Sequence, residues 1–200
     1  TGCLGTQYSK YLSSLGAHLV IGDIDHDKCI DLCKKIDKNS KHSALPLLID
    51  NSDESSISNF FSNINDSYGK LDVLINNAQG KPDGFYSAFE DYNKDILRRV
   101  IDVNLIGVTL ACKEAAKLFI NNNKSGVIVN VSSIYGIVAP DQRLYDNVKN
   151  IYTDEKNFST PVSYPISKAG VIQLTKYLSS YYREKNIRVN CLTPGGVYDD

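Results

Sequence analysis

The sequence contains no methionine, no tryptophan and no long run of apolar residues. A membrane-spanning helix needs about 18 to 20 consecutive apolar residues, so we expect neither a membrane span nor a signal peptide. Neither sign of charge dominates, because 22 basic and 23 acidic side chains leave a net charge of −1. This balance argues against nucleic acid or a membrane surface as partner. We therefore expect a cytoplasmic protein.

Cysteine and histidine, which metal sites commonly use, are few. The five cysteines are scattered, and the three histidines all lie in the first quarter of the chain. Cys29 and Cys33 stand one helical turn apart, but no second pair completes a metal-binding set. We expect no metal site, and thiols that are buried or idle in a reducing compartment.

Apolar strands and helical segments alternate along the whole sequence. The predicted strands are 17–23, 44–49, 71–75, 126–131 and 187–192. The predicted helices are 6–16, 25–38, 53–68, 92–121 and 163–183. Such alternation indicates right-handed βαβ units and a parallel sheet covered on both faces. Two hundred residues suffice for one α/β domain of this kind.

Polar or turn-forming residues follow directly after each predicted strand. They are Asp23, Asp50, Asn76 with Asn77, Ser132 with Ser133, and Pro194-Gly195. The carboxyl ends of parallel strands meet at one edge of a sheet, which is where ligands bind in open α/β folds. Each residue alone is as easily explained by turn formation. Together they predict a ligand site at that edge.

The first residues have the pattern of a nucleotide-binding turn. Gly2-Cys3-Leu4-Gly5 precedes a helix, and Asp23 ends the strand that follows. Glycines before a helix let backbone N–H groups approach a pyrophosphate, which the positive helix end favours. An acid about 20 residues further on can bind an adenosine ribose and would repel a 2′-phosphate. The pattern favours NAD, although an ordinary glycine turn is at least as common.

Four tyrosine–lysine pairs have the spacing that places a phenol and an amine on one helix face. They are Tyr164/Lys168, Tyr145/Lys149, Tyr152/Lys156 and Tyr181/Lys185. Only the first pair opens a long apolar-periodic helix that leads into a strand. A neighbouring ammonium favours phenolate and lowers a phenol pKa that is about 10 in water. The first pair therefore predicts general acid–base catalysis on a carbonyl or an alcohol.

Taken together, these residues resemble the short-chain dehydrogenase/reductase family in its single-domain form. The resemblance covers the whole chain and depends on several blocks that occur in the family's order. They are Gly2-Cys3-Leu4-Gly5, Asp23, Asp50, Asn76-Asn77-Ala78, Asn104, Ser133-Ile134-Tyr135-Gly136, Tyr164 with Lys168, and Asn190 with Pro194-Gly195. The resemblance implies a Rossmann-like, doubly wound parallel sheet in three layers. It also implies NAD(P)-dependent hydride transfer between an alcohol and a carbonyl.

The resemblance also implies a role for each matching residue. Tyr164 would be the general acid or base, Lys168 would assist its ionisation, and Ser133 would hydrogen-bond the reacting oxygen. Asn104 would hold a water that links Lys168 to solvent and would kink its helix. The implied cofactor-binding residues are Gly2, Leu4, Gly5, Asp23, Asp50, Asn77, Ala78, Tyr164, Lys168, Pro194, Gly195 and Val197. The expected cofactor is NAD, with NADP second.

The sequence departs from the family pattern in three places. The first glycine and the first strand of the family precede Thr1, so we expect residues 1–200 to form a single dinucleotide-binding and catalytic domain that is truncated at both ends. Without the first strand, a place in the sheet would be vacant, and the C-terminal substrate lobe would also be missing. Gln79 replaces the glycine that usually follows Asn-Asn-Ala. Residues 139–162 form an unusually long connection, which predicts an extra functional or mobile loop beside the site.

A bacterial subgroup linked to surface-sugar and flagellin modification is similar in three segments. These are the Gly-x-Leu-Gly start, the Ser-Ser-Ile-Tyr-Gly block and the loop that carries Asp141-Gln142-Arg143. The resemblance implies a small alcohol or carbonyl substrate, such as a sugar derivative. It also implies a homodimer or homotetramer. Partner-facing side chains would be Leu110, Leu118, Leu174 and Tyr177, unless these pack in the core.

Two other functions are compatible with parts of the sequence. A nucleotide-sugar epimerase or dehydratase shares the Tyr-xxx-Lys pattern, but Asn76-Asn77-Ala78 and Pro194-Gly195-Gly196 argue against it. A sensor or scaffold that binds the dinucleotide without turnover is the second alternative. The presence of all four catalytic positions argues against that alternative.

Overall fold

A computed structural model describes residues 1–38, 43–122, 125–149 and 158–197. Five strands alternate with helices in the predicted order. The strands are β1 (Leu19–Asp23), β2 (Ala44–Leu48), β3 (Val73–Asn76), β4 (Gly126–Val131) and β5 (Ile187–Leu192). The helices are α1 (Cys3–Ser14), α2 (His26–Asp37), α3 (Glu54–Tyr68), α4 (Lys94–Ile101), α5 (Val108–Asn121) and α6 (Ser163–Tyr181).

All the described strand pairs are parallel, and the predicted α/β class is confirmed. β1 pairs with β2, and β4 lies between β3 and β5. The strands therefore form a two-stranded sheet, β1–β2, and a three-stranded sheet, β3–β4–β5.

Three apolar clusters hold these layers together. The main core joins α3, α5 and α6 to β4 and β5, with Phe119, Ile128 and Val171 almost fully buried. A second cluster packs α2 against β1 and β2, and it buries Cys29 and Cys33 as predicted. A third and smaller cluster consists of Phe85, Tyr86 and Val100, with Phe158 and Tyr164 packed against it. The third cluster places an aromatic shell behind the first turn of α6.

The predicted helix 92–121 is interrupted in its middle. α4 and α5 are joined by a π-helical turn, Asp102–Gly107, which contains Asn104. A Cβ at Gly107 would lie 2.1 Å from the backbone oxygen of Asn51, so glycine allows the turn to approach the loop after β2. The local kink that we expected at Asn104 is thus present as an extra-wide turn.

Two other expectations need adjustment. α1 begins at Cys3 rather than after Gly5, because Gly2 has an extended backbone and serves as the N-cap. The connection 139–162 is not structureless where it is described: a 3₁₀ turn spans Gln142–Tyr145. The side chain of Gln142 bonds the backbone of Thr160 in both directions, each at 3.1 Å.

The leucines that we considered as partner-facing pack partly into the main core. Leu110, Leu118 and Leu174 all contact that core, whereas Tyr177 is 60% exposed and stacks on Tyr181. Core packing therefore explains the three leucines, and only Tyr177 presents its ring to the surface. Among the described helices, none combines the length and the apolar character that crossing a membrane requires.

Candidate active site

The first turns of α6 carry Tyr164 and Lys168 on one face. Lys168 is only 4% exposed, and its Nζ donates to the carbonyl oxygen of Val131 at 2.9 Å. The same Nζ lies 5.7 Å from the centroid of the Tyr164 ring. The predicted pairing of a phenol with an amine is therefore present in space.

The other three tyrosine–lysine pairs have different surroundings. Tyr181 is the last residue of α6, and Tyr145 lies in the 3₁₀ turn of the long loop. Tyr152 and Lys156 lie outside the described residues. Of the described pairs, only Tyr164 and Lys168 border a cavity at the strand ends.

The environment of Lys168 alters its ionisation. Burial lowers the pKa of Lys168 from 10.5 to about 8, while the nearby Cys191 thiol acts weakly in the opposite direction. Below that pKa the amine still carries its proton, so at neutral pH a positive charge lies beside the Tyr164 ring.

The exit of β4 brings two serines to α6. Ser132 Oγ donates to the backbone carbonyl of Lys168 at 2.7 Å, whereas Ser133 Oγ accepts from the N–H of Tyr135 at 3.2 Å. A Cβ at Gly136 would lie 2.8 Å from the carbonyl carbon and oxygen of Lys168, so this loop can approach the helix only with glycine there. The loop after β4 is thereby held against the first turns of α6.

The loop after β5 closes the other side. The N–H of Ile134 donates to the carbonyl of Pro194 at 2.9 Å, which joins the two strand exits. A small cavity of about 110 Å³ lies between them. Its lining residues are Leu4, Asn77, Gln79, Val131, Ser132, Ser133, Tyr164, Lys168, Pro194, Gly195 and Val197. Three of the four predicted catalytic residues therefore meet at one cavity.

Asn104, the fourth, lies one layer behind the cavity. It is 1% exposed, and its Oδ1 accepts from the N–H of Gly80 at 2.8 Å. Its Nδ2 is buried and has no hydrogen-bond partner among the described residues. Because a buried amide donor seldom stays unpaired, this atom is suited to bind a water molecule. The π-helical turn Asp102–Gly107 fixes the position of the Asn104 side chain.

The start of α1 has the features that an anionic group requires. No side chain of the described residues caps this helix, and its first turn contains no acid. The first N–H groups of a helix have no intrahelical partner, and the positive helix end attracts anions. Leu4 lines the cavity, and a Cβ at Gly5 would lie 3.2 Å from Asn77 Nδ2. The chain thus fits a phosphate-bearing cofactor that extends from α1 to α6.

The two predicted nucleotide-binding acids do not line the cavity. Asp23 ends β1, where its Oδ2 accepts from the Thr1 hydroxyl at 2.6 Å and its Oδ1 accepts from the N–H of Asp25 at 3.1 Å. Asp50 follows β2, where its Oδ1 accepts from the N–H and hydroxyl of Ser52. Gly2, Gly5 and Ala78 also lie outside the lining.

Sequence reasoning missed three residues of the cavity wall. Gln79 was noted only as a departure from the family pattern, Val131 was assigned no role, and Ser132 was named only among the residues that follow a strand, yet all three line the cavity. The position of Ser132 directly after a strand was the usable signal, whereas no local pattern marks Val131, whose carbonyl accepts from Lys168. Across the described residues, no cluster of three or more His, Cys, Asp or Glu side chains suits a metal ion.

The sequence matches two models of known families. The model described as short chain dehydrogenase covers residues 1–145, and the one described as enoyl-(acyl carrier protein) reductase covers residues 150–199. The "Uncharacterized oxidoreductase YxbG" of Bacillus subtilis is 30% identical over 97% of this chain and 63% of its own length. The "Cis-4-hydroxycyclohexanecarboxylate dehydrogenase" of Sinomonas cyclohexanicum is 32% identical over 96% of this chain and 68% of its own length. The "Post-translational flagellin modification protein A" of Campylobacter coli is 26% identical over 100% of this chain and 75% of its own.

Solved structures show the same fold at lower identity. Levodione reductase superposes with a TM-score of 0.83 at 22% identity, and covers 98% of this chain and 68% of its own. A metagenomic short-chain oxidoreductase in complex with NADP superposes with a TM-score of 0.80 at 24% identity, and covers 97% of this chain and 78% of its own. The chain spans 63% and 64% of the length of the first two curated relatives that it matches.

Proposed function

This chain belongs to the short-chain dehydrogenase/reductase family, and we propose that it is part of an oxidoreductase that interconverts an alcohol and a carbonyl with NAD(P). One observation carries the proposal. Tyr164, Lys168 and Ser133 line the same cavity as Asn77 and Gly195. A proton-transfer group, a buried cation and a hydroxyl thus surround one small space at the ends of parallel strands. That is the site where an open α/β sheet binds its ligand.

The proposed roles follow from what each side chain can do. Tyr164 gives a proton to the reacting oxygen during reduction and takes it back during oxidation. Lys168 keeps its charge at neutral pH and stabilises the phenolate form. Ser133 donates a hydrogen bond to the same oxygen. Asn104 holds a water at its buried Nδ2, and that water replenishes protons on the lysine side. Bound nicotinamide supplies the hydride donor or acceptor.

Cofactor binding is proposed along the line from α1 to α6. The N–H groups at Gly2, Leu4 and Gly5 would hold the pyrophosphate, and Lys168 would reach the nicotinamide ribose. Asp23 would accept hydrogen bonds from the adenosine ribose, which favours NAD over NADP because a carboxylate repels a 2′-phosphate. The remaining contacts are proposed at Asp50, Asn77, Ala78, Tyr164, Pro194, Gly195 and Val197. One structural neighbour holds NADP, so both dinucleotides belong in the test.

The substrate is proposed to be a small alcohol or ketone. A relative named for hydroxycyclohexanecarboxylate suggests a ring-bearing alcohol. A relative named for flagellin modification supports the subgroup that the sequence resembles, and for that subgroup a sugar derivative is the proposed substrate. The flagellin-modification subgroup remains a proposal on the same grounds.

The molecular setting is also proposed. Residues 1–200 would be one dinucleotide-binding and catalytic domain of a cytoplasmic enzyme that assembles as a homodimer or homotetramer. Two exposed residues of α6 support assembly, namely Ile166 and Tyr177.

The test is hydride transfer in the intact protein, followed by the absorbance of reduced nicotinamide. A panel of cyclic alcohols, cyclic ketones and sugar derivatives is supplied with NAD(H) or NADP(H). Tyr164→Phe should lower kcat about 10³-fold, within the range that a positioned general acid contributes. Tyr181→Phe, at the exposed end of the same helix, is the control and should retain activity. Turnover that survives Tyr164→Phe would contradict the proposal. Conversion of a nucleotide sugar with no net change in the nicotinamide would instead support an epimerase.

A further inference from the structure

A partly buried hydrogen bond joins Ser163, the residue before Tyr164, to a distant loop. The hydroxyl of Tyr92 lies 2.6 Å from Ser163 Oγ. Ser163 is 0% exposed and opens α6, so its hydroxyl has no access to solvent. Tyr92 lies between a 3₁₀ turn, Phe89–Asp91, and α4. The bond therefore ties the first residue of the catalytic helix to the start of α4.

This tie compensates for a missing helix cap. No side chain of the described residues caps the N-terminus of α6, where Val162 is the N-cap residue. The described backbone bond closest to the start runs from the N–H of Tyr164 to the carbonyl of Pro161 at 3.1 Å. An uncapped first turn frays easily, because its N–H groups lack partners. The Tyr92–Ser163 bond supplies a fixed point at that turn.

The Tyr92 end of the bond is itself anchored. Asn93, the next residue, caps α4 by accepting from the N–H groups of Asp95 and Ile96, each at 3.0 Å. Burial raises the pKa of Tyr92 more than its bond to Ser163 lowers it, so the phenol stays protonated across the working pH range. The tie is thus a neutral hydrogen bond between two held segments.

Apolar packing alone does not fix the phenol in the same way. The Tyr164 ring packs against Phe85, Tyr86 and Val100, which come from the segment that also carries Tyr92. Apolar contact is non-directional and lets a ring slide along its neighbours. A hydrogen bond has a preferred distance and angle. The bond at Ser163 therefore determines how far along this cluster the Tyr164 ring lies.

We propose that Tyr92, acting through Ser163, is a positioning residue that sets the place of the Tyr164 phenol relative to Lys168 and Ser133. The inference rests on the proposed function, in which Tyr164 transfers the proton. Small displacements of a reacting group lower rates steeply, because the bound geometry must be close to that of attack. Tyr92 is thus required for rate and not for binding the dinucleotide.

The experiment compares Tyr92→Phe, Ser163→Ala and the double variant in the intact protein. Each single change leaves a hydroxyl buried without a partner, which lowers stability, whereas the double change removes both and should restore most of it. We expect kcat to fall about 10- to 100-fold in all three variants, with the KM for the dinucleotide unchanged within about twofold. Tyr181→Phe, which changes an exposed phenol at the far end of the same helix, is the matched control and should behave as the wild type.

A second readout needs no activity. Amide hydrogen exchange at Tyr164, whose N–H bonds Pro161, should be at least about tenfold faster in the double variant, even though its overall stability is restored. Unchanged exchange there would overturn the inference. So would wild-type kcat in Tyr92→Phe, or a double variant that recovers kcat together with stability. If the wild type itself transfers no hydride, the proposed function fails, and the exchange measurement still decides whether Tyr92 holds the helix start.

Discussion

The catalytic end of the site and its nucleotide end differ in how their polar side chains are held. At the catalytic end, Lys168 and Ser133 are 4% and 6% exposed, and Lys168 is bonded by the exit of β4. At the nucleotide end, the Asp23 side chain is 25% exposed and Asp50 bonds within its own loop. The polar side chains of the first end are almost fully buried, while those of the second end remain partly exposed.

Because the two ends differ in burial, they differ in how strongly they change the pKa of their side chains. Burial changes the pKa of Lys168 strongly because water is excluded on several sides. The carboxylate of Asp23 remains partly exposed, and its proposed role depends on hydrogen bonding and charge repulsion. Changes at the catalytic end should therefore alter rate and stability, and changes at the nucleotide end should alter cofactor choice.

The largest effect is expected for Lys168→Met. Loss of the buried cation should lower kcat by about 100-fold or more, since the phenolate then lacks its stabilising charge. The same change should stabilise the fold at pH 7. Lowering the lysine pKa from 10.5 to about 8 costs the folded state roughly 3 kcal/mol of stability at pH 7, and the substitution removes this cost. The lost hydrogen bond to Val131 should offset about 1 kcal/mol of that gain.

The pH dependence of this stability has a definite sign. Between pH 8 and 10.5 the unfolded chain binds the lysine proton and the folded chain does not, so wild-type stability should rise with pH in that window. The advantage of Lys168→Met should shrink over the same range. Urea unfolding at several pH values measures both. A variant that is less stable at pH 7, with a gap independent of pH, would show that the amine is not buried as described.

An intermediate effect is expected for Asp23→Ser at the nucleotide end. The kcat/KM for NADH should fall about tenfold, the equivalent of one lost hydrogen bond to a charged acceptor, while that for NADPH should not fall. Asp25→Ser is the control, because Asp25 is exposed, bonds Lys28, and would keep a capping hydroxyl for α2. An equal fall in kcat/KM with both dinucleotides would show that Asp23 does not bind the adenosine ribose.

The smallest expected effects come from two glycine-to-alanine substitutions, one at each end, which test packing alone. At Gly136 a Cβ would lie 2.8 Å from backbone atoms of Lys168, so Gly136→Ala should lower the free energy of unfolding by about 1–3 kcal/mol. At Gly5 a Cβ would lie 3.2 Å from the flexible amide of Asn77, and alanine favours the helix, so Gly5→Ala should cost less than about 0.5 kcal/mol. Urea titrations of both variants make the comparison, and equal losses would contradict it.

Local patterns predicted a large part of this molecule. Strands β4 and β5 have the predicted bounds, and α6 begins at the predicted residue, because apolar runs and helical periodicity are properties of neighbouring residues. Context also separated Tyr164 from Tyr181, which lies at the far end of the same helix. Roles at Asp23 and Asp50 stay predictions, since neither residue lines the cavity.

Contacts between distant residues could not be predicted in this way. The bond of Ser132 to Lys168 joins positions 36 apart, and that of Tyr92 to Ser163 joins positions 71 apart. No periodicity encodes such pairs, because they depend on how loops meet after the sheet forms. The burial of Lys168 has the same origin. From sequence alone a lysine is expected at the surface. Only the fold shows that Val131 and Ser132 pack against Lys168.

The π-helical turn at Asp102–Gly107 makes one long helix serve two different neighbours. An α-helix turns by about 100° per residue, so the one extra residue of a wide turn rotates everything beyond it by about that amount. Before the turn, Val100 faces the aromatic shell of Tyr164; after it, Ala111 and Ala115 face the main core. A regular α-helix without this rotation could pack against only one of the two surfaces, the aromatic cluster or the main core. The side-chain amide of Asn104 would then point in a different direction.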